Sequence, residues 1–226
     1  MVQLLVLLLA AAPVLLISID GFRHDYIERD QPPELSALAA GGARVMRLHP
    51  AFSSTTFPNH HSMATGLVPS RHGIVAMEFY DPRLKRSFSY KTTATEGEWY
   101  GGTAIWVWAK KHGKKVFTYF WPGTDAGAGG GFPDEYRKYD YRVTHEQKVA
   151  QILEWLSLPP EKRPNLVIGY FSDVDSAMHR TGPDSPETRA AISKVDSTVG
   201  RLIREARKLV PDLNVVIVSD HGAAAV

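Results

Sequence analysis

Three apolar runs in this chain are each followed by an aspartate, and this pattern restricts the fold more than any other feature. The runs span residues 14–19, 166–171 and 213–218. A continuous apolar run of this length is typical of a strand that is buried on both faces of a sheet. Asp20, Asp175 and Asp220 follow these runs. We therefore expect three carboxylates at one edge of a parallel sheet.

Helical patterns separate these strands along the chain. A capping-box pattern begins at Thr144, where Gln147 follows three residues later, and Ser185-Pro186 is a typical helix start. We predict helices over residues 33–40, 58–65 and 105–111 and from residues 144 and 185, with further strands over residues 43–48 and 115–120. Strands that alternate with helices predict an α/β fold, with a mostly parallel sheet flanked by helices on both faces. In such sheets, ligands bind beyond the carboxyl ends of the strands.

The composition excludes several classes of protein. The formal charge is +2 and no run of Lys or Arg occurs, so we expect no binding to polymeric nucleic acid. The chain has no Cys, so a zinc site would have to use His and carboxylate ligands. A length of 226 residues fits one α/β domain, with or without an insertion.

The first twelve residues are apolar except for Gln3 and end in three alanines. This segment is too short to cross a bilayer as a helix, so we predict no transmembrane span. It has the character of a secretion signal, which predicts a signal peptide over residues 1–12, a folded domain over residues 13–226 and an extracytoplasmic location, periplasmic or secreted. The alternative is an apolar extension of the first strand.

Candidate metal ligands lie at the ends of the first and last predicted strands. Asp20 precedes Gly21 at the first strand end, and Asp220-His221 occupies the last. Carboxylate and imidazole groups bind zinc, manganese and iron alike. The alternative for each Asp is a turn residue, since Asp-Gly is common in turns.

Asp175 and His179 form a second candidate pair because they are four residues apart. If this segment is helical, both side chains lie on one side and can share a metal ion. We expect packing or supporting roles for His60 and His61, and surface positions for the histidines at 49, 112 and 145.

Thr56 lies just before Pro58 and therefore at a predicted helix N-terminus. Free amide groups and the helix dipole favour a phosphate at such a position, and they would also favour an ionised hydroxyl. The alternative is that Thr55 or Thr56 only caps the helix.

Several short segments occur in a characteristic order along nearly the whole chain. They are Ile19-Asp20-Gly21-Phe22-Arg23, Thr56-Phe57-Pro58-Asn59-His60, Thr65-Gly66-Leu67, His72-Gly73-Ile74-Val75, Tyr80-Asp81-Pro82, Phe120-Trp121-Pro122-Gly123, Asp175 to His179 with Gly182-Pro183, and Ser219-Asp220-His221-Gly222. Together they resemble the nucleotide pyrophosphatase/phosphodiesterase family of the alkaline-phosphatase superfamily. The resemblance implies an alkaline-phosphatase-like fold.

The resemblance also implies two zinc ions and a covalent mechanism. One zinc ion would be held by Asp20, Thr56, Asp220 and His221, and the other by Asp175, His179 and one further His. Thr56 would be the nucleophile that forms a covalent nucleotidyl intermediate. The substrate-binding residues implied in the same way are Phe57 and Tyr139, on either side of a nucleobase, and Trp121 and Asp125 in the adjoining pocket segment.

Two departures from the family pattern affect this interpretation. Met77 stands where the family has an Asn that donates to a phosphoryl oxygen, and a thioether cannot donate. The further zinc-binding His of the family would lie beyond residue 226. We therefore predict a catalytic domain that is partial at its C-terminal end, with weak zinc binding at Asp175 and His179.

The leading hypothesis is a zinc-dependent phosphodiesterase that cleaves small nucleotide diesters or pyrophosphates. One alternative is a relative that hydrolyses a phosphomonoester, a phospholipid or a phosphonate. A second alternative, favoured by Met77, is a catalytically degenerate protein that binds metal or phosphate without turnover. The absence of Cys disfavours a sulfatase.

Overall fold

The computed structural model describes residues 12–225. The strands are β1 (Val14–Ile19), β2 (Glu78–Asp81), β3 (Arg86–Ser89), β4 (Val116–Tyr119), β5 (Glu135–Arg137), β6 (Leu166–Phe171) and β7 (Asn214–Val218). The helices are α1 (Tyr26–Asp30), α2 (Pro33–Ala40), α3 (Thr56–Thr65), α4 (Pro69–His72), α5 (Ile105–Lys111), α6 (His145–Ser157), α7 (Asp173–Thr181) and α8 (Pro186–Leu209), with 3-10 turns at Gly97–Trp99 and Thr124–Ala126.

A five-stranded sheet forms the centre of the fold, and its strand order is β5-β4-β6-β1-β7. Every neighbouring pair in this sheet is parallel, as the sequence predicts. β1 lies between β6 and β7, with Ile19 opposite Phe171 and Ser18 opposite Val218. The carboxyl ends of these three strands therefore meet at one edge of the sheet.

Hydrophobic clusters cover both faces of the sheet. Leu15, Ile17 and Ile19 point to one face, where they pack with residues of α6 and α8. Leu16 packs in the other cluster, which contains residues of α3, α5 and the β2–β3 hairpin. This alternation within β1 explains why its sequence is apolar throughout, since both faces are covered. Ser18 is the polar exception, and it is fully buried.

Local sequence signals explain where the two longest helices begin. The predicted capping box at α6 is present, with reciprocal bonds between Thr144 and Gln147. At α8, the Ser185 side chain accepts a hydrogen bond from Thr188 N. Such caps satisfy amide groups that have no partner within the helix. The buried stripe predicted for α8 is also present: Ile192, Val195, Val199, Leu202, Ile203 and Ala206 are buried.

The strand predicted over residues 43–48 is wrong. This segment is irregular, and Val45 is 78% exposed. A strand needs a neighbour, and this segment pairs with no strand of the described sheet. β-Branched and apolar residues alone therefore did not make this segment a strand.

The sequence interpretation also missed the β2–β3 hairpin and the edge strand β5. The hairpin turns at Asp81, whose carboxylate accepts hydrogen bonds from Arg83 N and Leu84 N. This is the local Asp turn that precedes many reversals of the chain. The two strands of the hairpin have four residues each, too few for a clear alternating pattern.

The surface position predicted for His145 is wrong, because its side chain is buried between helices. Its Nδ1 lies 2.7 Å from Thr198 Oγ1 and its Nε2 lies 2.9 Å from Asp173 Oδ2. Burial raises the pKa of Asp173, but the bonds from His145 and Lys194 outweigh it and hold that pKa well below its usual range. His145 thus ties the first turn of α6 to those of α7 and to α8.

No helix within residues 12–225 has both the length and the apolar character needed to cross a membrane. The signal-peptide prediction concerns residues 1–12, and residues 1–11 lie outside the described part of the chain. That prediction and the domain boundary that follows from it stay predictions.

Candidate functional site

Two buried aspartates lie side by side at the carboxyl ends of β1 and β7. Asp20 is 1% exposed and Asp220 is 3% exposed. The Gly21 amide donates to Asp220 Oδ1 at 3.2 Å and so joins the two strand ends. Gly21 has a φ of +69°, and a Cβ there would lie 3.1 Å from the Asp175 Cα. Only glycine accommodates both this conformation and this close approach.

His221 completes a compact group with these two carboxylates. One ligand atom from each of Asp20, Asp220 and His221 lies within 4.8 Å of the others. His221 Nε2 is 3.4 Å from Asp20 Oδ1 and 3.3 Å from Asp220 Oδ2. Two carboxylates and an imidazole that converge in this way can hold a divalent metal ion.

The Thr56 hydroxyl faces this group from the first turn of α3. Its Oγ1 lies 3.3 Å from His221 Nε2. Thr55 is the residue that precedes the helix, and its hydroxyl donates to Ser53 O at 3.2 Å. Thr55 at the N-cap makes no side-chain capping bond, and the Thr56 hydroxyl faces the carboxylates and His221.

Asp175 and His179 both lie on α7, and their side chains are on the same side of the helix, as their spacing of four residues predicted. Asp175 Oδ1 is 3.3 Å from His179 Nε2. The Asp175 amide donates to the Asp20 carbonyl oxygen at 3.2 Å, which fixes the start of α7 beside the end of β1. The His179 side chain is 75% exposed, so this pair borders the solvent.

Asp20, Asp175, Asp220 and His221 together are called the metal cluster below. The electrostatics of this cluster favour a bound cation. Burial and the repulsion of Asp220 and Asp175 raise the pKa of Asp20 well above its usual value. Burial also raises the pKa of Asp175, although His179 and His221 oppose this effect. For Asp220, burial raises the pKa but the facing histidines lower it to about 2.

Three carboxylate oxygens of the cluster lack a hydrogen-bond partner within the described residues: Asp20 Oδ1, Asp175 Oδ1 and Asp220 Oδ2. A buried oxygen without a partner is costly in free energy unless a cation or water satisfies it. The donor set and these unpaired oxygens therefore fit a metal centre.

The aromatic residues implied to bind substrate lie on two different elements. Phe57 follows Thr56, and its ring centroid lies 6.0 Å from that of Phe88. Tyr139 is 45% exposed, and its hydroxyl lies 3.1 Å from Ser172 Oγ, next to the start of α7. The two rings are thus presented separately by α3 and by the loop before α6.

Trp121 is fully enclosed by the fold, whereas Asp125 is only partly enclosed. Trp121 is 1% exposed, and its indole N–H donates to the His60 carbonyl oxygen at 3.2 Å. In this conformation the Trp121 ring cannot itself touch a substrate, because the fold covers it completely. Asp125 is partly buried in the 3-10 turn after β4, and burial raises its pKa.

The sequence interpretation missed one side chain that supports the cluster. The Tyr170 hydroxyl donates to Asp20 Oδ2. Tyr170 is 6% exposed and lies on β6, directly beside Ser18 of β1 in the register. A tyrosine within an apolar strand was the available signal, since a buried hydroxyl usually requires a partner.

A buried pair of histidines that lies away from the metal cluster should make the stability of the fold sensitive to acid. His61 and His72 are buried with ring centroids 4.7 Å apart, and burial lowers the pKa of each to about 4. The unfolded chain takes up these protons near pH 6.5, whereas the folded protein resists them until about pH 4. Stability should therefore fall as the pH decreases from 6.5 towards 4.

Each of these two histidines can contribute at most about 1.4 kcal/mol per pH unit to this loss. The free energy of unfolding, measured with urea at pH 7.5, 6 and 5, shows this loss of stability. The His72→Gln variant should lose part of the pH dependence because one of the two groups no longer titrates. An undiminished dependence in that variant would contradict the explanation.

Comparisons with known proteins all indicate one family. The profile of the family described as type I phosphodiesterase / nucleotide pyrophosphatase matches residues 14–226. The human ectonucleotide pyrophosphatase/phosphodiesterase family member 1 is 40% identical over 215 residues, which are 93% of this chain and 23% of the relative. Venom phosphodiesterase 2 of Crotalus adamanteus is 35% identical over 216 residues, which are 93% of this chain and 27% of the relative.

Solved structures give the same result for the fold. Murine ectonucleotide pyrophosphatase/phosphodiesterase 5, an inactive threonine-to-alanine variant in complex with AMP, superposes with a TM-score of 0.87 at 34% identity. The match covers 93% of this chain and 57% of that one. The human protein of the same name superposes with a TM-score of 0.87 at 36% identity. The predicted alkaline-phosphatase-like architecture is thereby confirmed for the part that this chain covers.

The chain spans about a quarter of the length of the mammalian and venom relatives that it matches, between 23% and 27%. The match nevertheless includes every strand of the central sheet and all the cluster residues, since it runs from residue 14 to residue 226. The chain belongs to the type I phosphodiesterase / nucleotide pyrophosphatase family.

Proposed function

We propose that this protein is a zinc-dependent hydrolase of small nucleotide diesters or pyrophosphates, with Thr56 as its nucleophile. The observation that carries the proposal is the position of the Thr56 hydroxyl, 3.3 Å from His221 Nε2 and next to buried, unpaired carboxylate oxygens. The inactivity of the threonine-to-alanine variant of the murine relative supports a threonine nucleophile.

Asp20, Asp220, His221 and Thr56 would hold one zinc ion, and Asp175 with His179 would contribute to a second. The bound ions would supply Lewis acidity, which lowers the pKa of the attacking hydroxyl and stabilises the charge on the leaving oxygen. The resemblance implies one further His as a ligand of the second ion.

In the proposed reaction, Thr56 Oγ bonds to phosphorus while the bond to the leaving oxygen breaks. Water then attacks the phosphorus of the nucleotidyl-threonine, which releases a nucleoside 5′-monophosphate and restores the hydroxyl. Thr56 is fixed for this attack because it opens α3 instead of lying on a loop. In the first turn of α3, the Phe57 and Asn59 amides already donate to Met77 Sδ and to the Thr55 carbonyl oxygen, and Pro58 has no N–H. The helix dipole is therefore the general feature of this turn that favours a phosphoryl group.

Phe57 and Tyr139 are the proposed contacts for the nucleobase, and Asp125 is the proposed polar group of the same pocket. Aromatic rings bind a base by stacking, a contact that depends little on the identity of the base. Trp121 is assigned to a supporting role because it is buried. An extracytoplasmic location is part of the proposal, since the relatives are described as ectoenzymes and venom enzymes.

A comparison of two chromogenic substrates tests the reaction class. The protein should hydrolyse the nitrophenyl ester of thymidine 5′-monophosphate with a higher kcat/KM than nitrophenyl phosphate, because only the diester offers a base to the aromatic residues. Faster turnover of the monoester would favour the phosphomonoesterase alternative. Zinc-loaded protein that hydrolyses neither ester would favour the degenerate alternative.

Met77 should limit the rate of this reaction. Its sulfur accepts a hydrogen bond from Phe57 N at 3.4 Å, so a thioether borders the first turn of α3. In a Met77→Asn variant, the amide oxygen could take the Phe57 N–H while the NH₂ group donates to a phosphoryl oxygen. One such donor typically contributes about 10²- to 10³-fold to the rate, so we expect kcat to rise, by up to that factor.

The control for this substitution is Met77→Leu, which keeps the apolar volume and adds no donor. It should leave kcat close to the parental value or slightly below it. Equal rates for the Asn and Leu variants would mean that residue 77 does not contact the phosphoryl group.

A further inference from the structure

His60 lies at the junction between the nucleophile helix and the two strands that carry the metal-binding aspartates. It is on α3, one turn after Thr56, and its side chain is fully buried. Its Nε2 lies 2.9 Å from Ser18 Oγ in the middle strand β1. Its Nδ1 lies 2.9 Å from the Thr56 carbonyl oxygen and 3.3 Å from Asp220 Oδ2. One imidazole therefore touches α3, β1 and the end of β7.

The surroundings of the ring determine how its nitrogens are used. The Thr56 carbonyl and the Asp220 carboxylate are both acceptors, so Nδ1 must carry a proton. In the neutral imidazole, Nε2 is then an acceptor, and the Ser18 hydroxyl is the group that donates to it. Ser18 thus selects the form of His60 whose Nδ1–H donates to the Thr56 carbonyl oxygen and also faces Asp220 Oδ2 at 3.3 Å.

Asp220 is fixed from two sides as a result. The Gly21 amide donates to Oδ1, and the imidazole of His60 lies against Oδ2. The same Oδ2 is 3.3 Å from His221 Nε2, which belongs to the candidate metal cluster. His60 therefore stands behind the carboxylate, on the side away from solvent, and limits its rotation.

The position of His60 is itself enforced by packing. The Trp121 ring lies edge-on to the imidazole, with centroids 4.8 Å apart and planes at 80°, and its indole N–H donates to the His60 carbonyl oxygen. The Tyr170 ring packs on His60 with a centroid distance of 5.4 Å, and its hydroxyl holds Asp20. The ring has no free space in which to turn.

We propose that His60 is a positioning residue that orients Asp220 for metal binding and sets the distance between that metal ligand and Thr56. The inference rests on the proposed function, because it takes Asp220 as a metal ligand and Thr56 as the nucleophile. It assigns to His60 no contact with substrate. It also explains why Trp121 lies behind the cluster, where it supports His60.

Zn²⁺ affinity is the primary test, measured without substrate by competition with a chromogenic chelator. The His60→Gln variant should bind Zn²⁺ about 10- to 100-fold more weakly, the usual loss when a supporting partner of a metal ligand is removed. His60→Asn should recover part of the affinity, because its amide N–H can occupy the place of Nδ1. At saturating Zn²⁺, the variants should show a lower kcat for the nucleotide diester with little change in KM.

His61→Gln is the matched control. His61 is the next residue of the same helix and is also fully buried, but its Nε2 bonds to the Gly101 carbonyl oxygen on the far side. This variant should keep the parental Zn²⁺ affinity whatever its effect on stability. Equal losses in His60→Gln and His61→Gln would show a general effect of disturbing α3 and would overturn the proposal.

Ser18→Ala decides the matter if His60→Gln does not fold. It removes the donor to Nε2 and should weaken Zn²⁺ binding several-fold. If His60→Gln folds and keeps the parental Zn²⁺ affinity, the proposal is overturned. If His60→Gln does not fold, unchanged Zn²⁺ affinity in Ser18→Ala overturns it. The titration contains no substrate, so a protein that binds Zn²⁺ in a His60-dependent way but hydrolyses no diester would refute the proposed function and leave this inference standing.

Discussion

Replacing Thr56 with alanine should lower kcat/KM for a nucleotide diester by about 10⁴- to 10⁶-fold, the usual loss when the nucleophile of a covalent mechanism is removed. The physical reason is that the described site presents the Thr56 hydroxyl directly to the cluster, 3.3 Å from His221 Nε2. The side chain of alanine has no oxygen that could form the bond to phosphorus. Steady-state hydrolysis of the nitrophenyl ester of thymidine 5′-monophosphate measures the loss.

Thr55→Ala is the matched control for this prediction. Thr55 is the preceding residue, and its hydroxyl donates to Ser53 O instead of facing the cluster. It should retain most of the parental activity. Rapid acid quenching of the parent should also trap a nucleotide on the peptide that contains Thr56, detected by its mass. If Thr56→Ala kept the parental rate, a threonine nucleophile would be excluded and attack by water would be the remaining route.

The sequence predicted those parts of the fold that depend on local pattern. β1 and β6 were found because each is covered on both faces and is therefore apolar along its length. β7 was found because it is also rich in Val and Ile, although it lies at the edge of the described sheet and its Val216 is 43% exposed. The segment 43–48 carries Arg44 and Arg47 among its apolar residues, and it pairs with no strand of the described sheet. The whole sheet decides whether a segment finds a partner strand, so the local pattern alone could not show this.

The candidate site was predictable to the extent that the topology controls it. Asp20, Asp175 and Asp220 lie together because parallel strands bring their carboxyl ends to one edge, and the order of elements already implied this arrangement. The contacts behind the cluster were not predictable. The bond from Tyr170 to Asp20 joins residues 150 positions apart, and the contact between Ser18 and His60 joins residues 42 apart. Such pairs depend on side-chain packing, which has no period in the sequence.

Asp20→Asn should stabilise the metal-free protein and abolish the stabilisation by zinc. In the metal-free parent, burial and the repulsion of Asp220 and Asp175 raise the pKa of Asp20. A carboxyl group with a raised pKa in the folded state stabilises the fold only at low pH, and this contribution is lost as the pH rises through the folded pKa. At neutral pH the charge of Asp20 therefore destabilises the metal-free protein, and the neutral amide should relieve this.

The same substitution removes a charged ligand, so the stabilisation by zinc should disappear. At a free Zn²⁺ concentration of about 100 times Kd, ligand binding stabilises a folded protein by about 2.7 kcal/mol. Thermal unfolding should thus show a higher Tm for metal-free Asp20→Asn than for the metal-free parent. Added Zn²⁺ should raise the Tm of the parent clearly and that of the variant very little.

Asp173→Asn provides a control of opposite sign on the neighbouring helix α7. His145 and Lys194 hold the pKa of Asp173 below its usual range, so its charge stabilises the folded state above the unfolded pKa. Removing this charge should lower the Tm of the metal-free protein. Zn²⁺ should still raise the Tm of the variant by as much as it raises that of the parent. If Asp20→Asn also lowered the metal-free Tm and kept the full Zn²⁺ shift, Asp20 would be a structural carboxylate like Asp173, and the cluster at the ends of β1 and β7 would not be a metal centre.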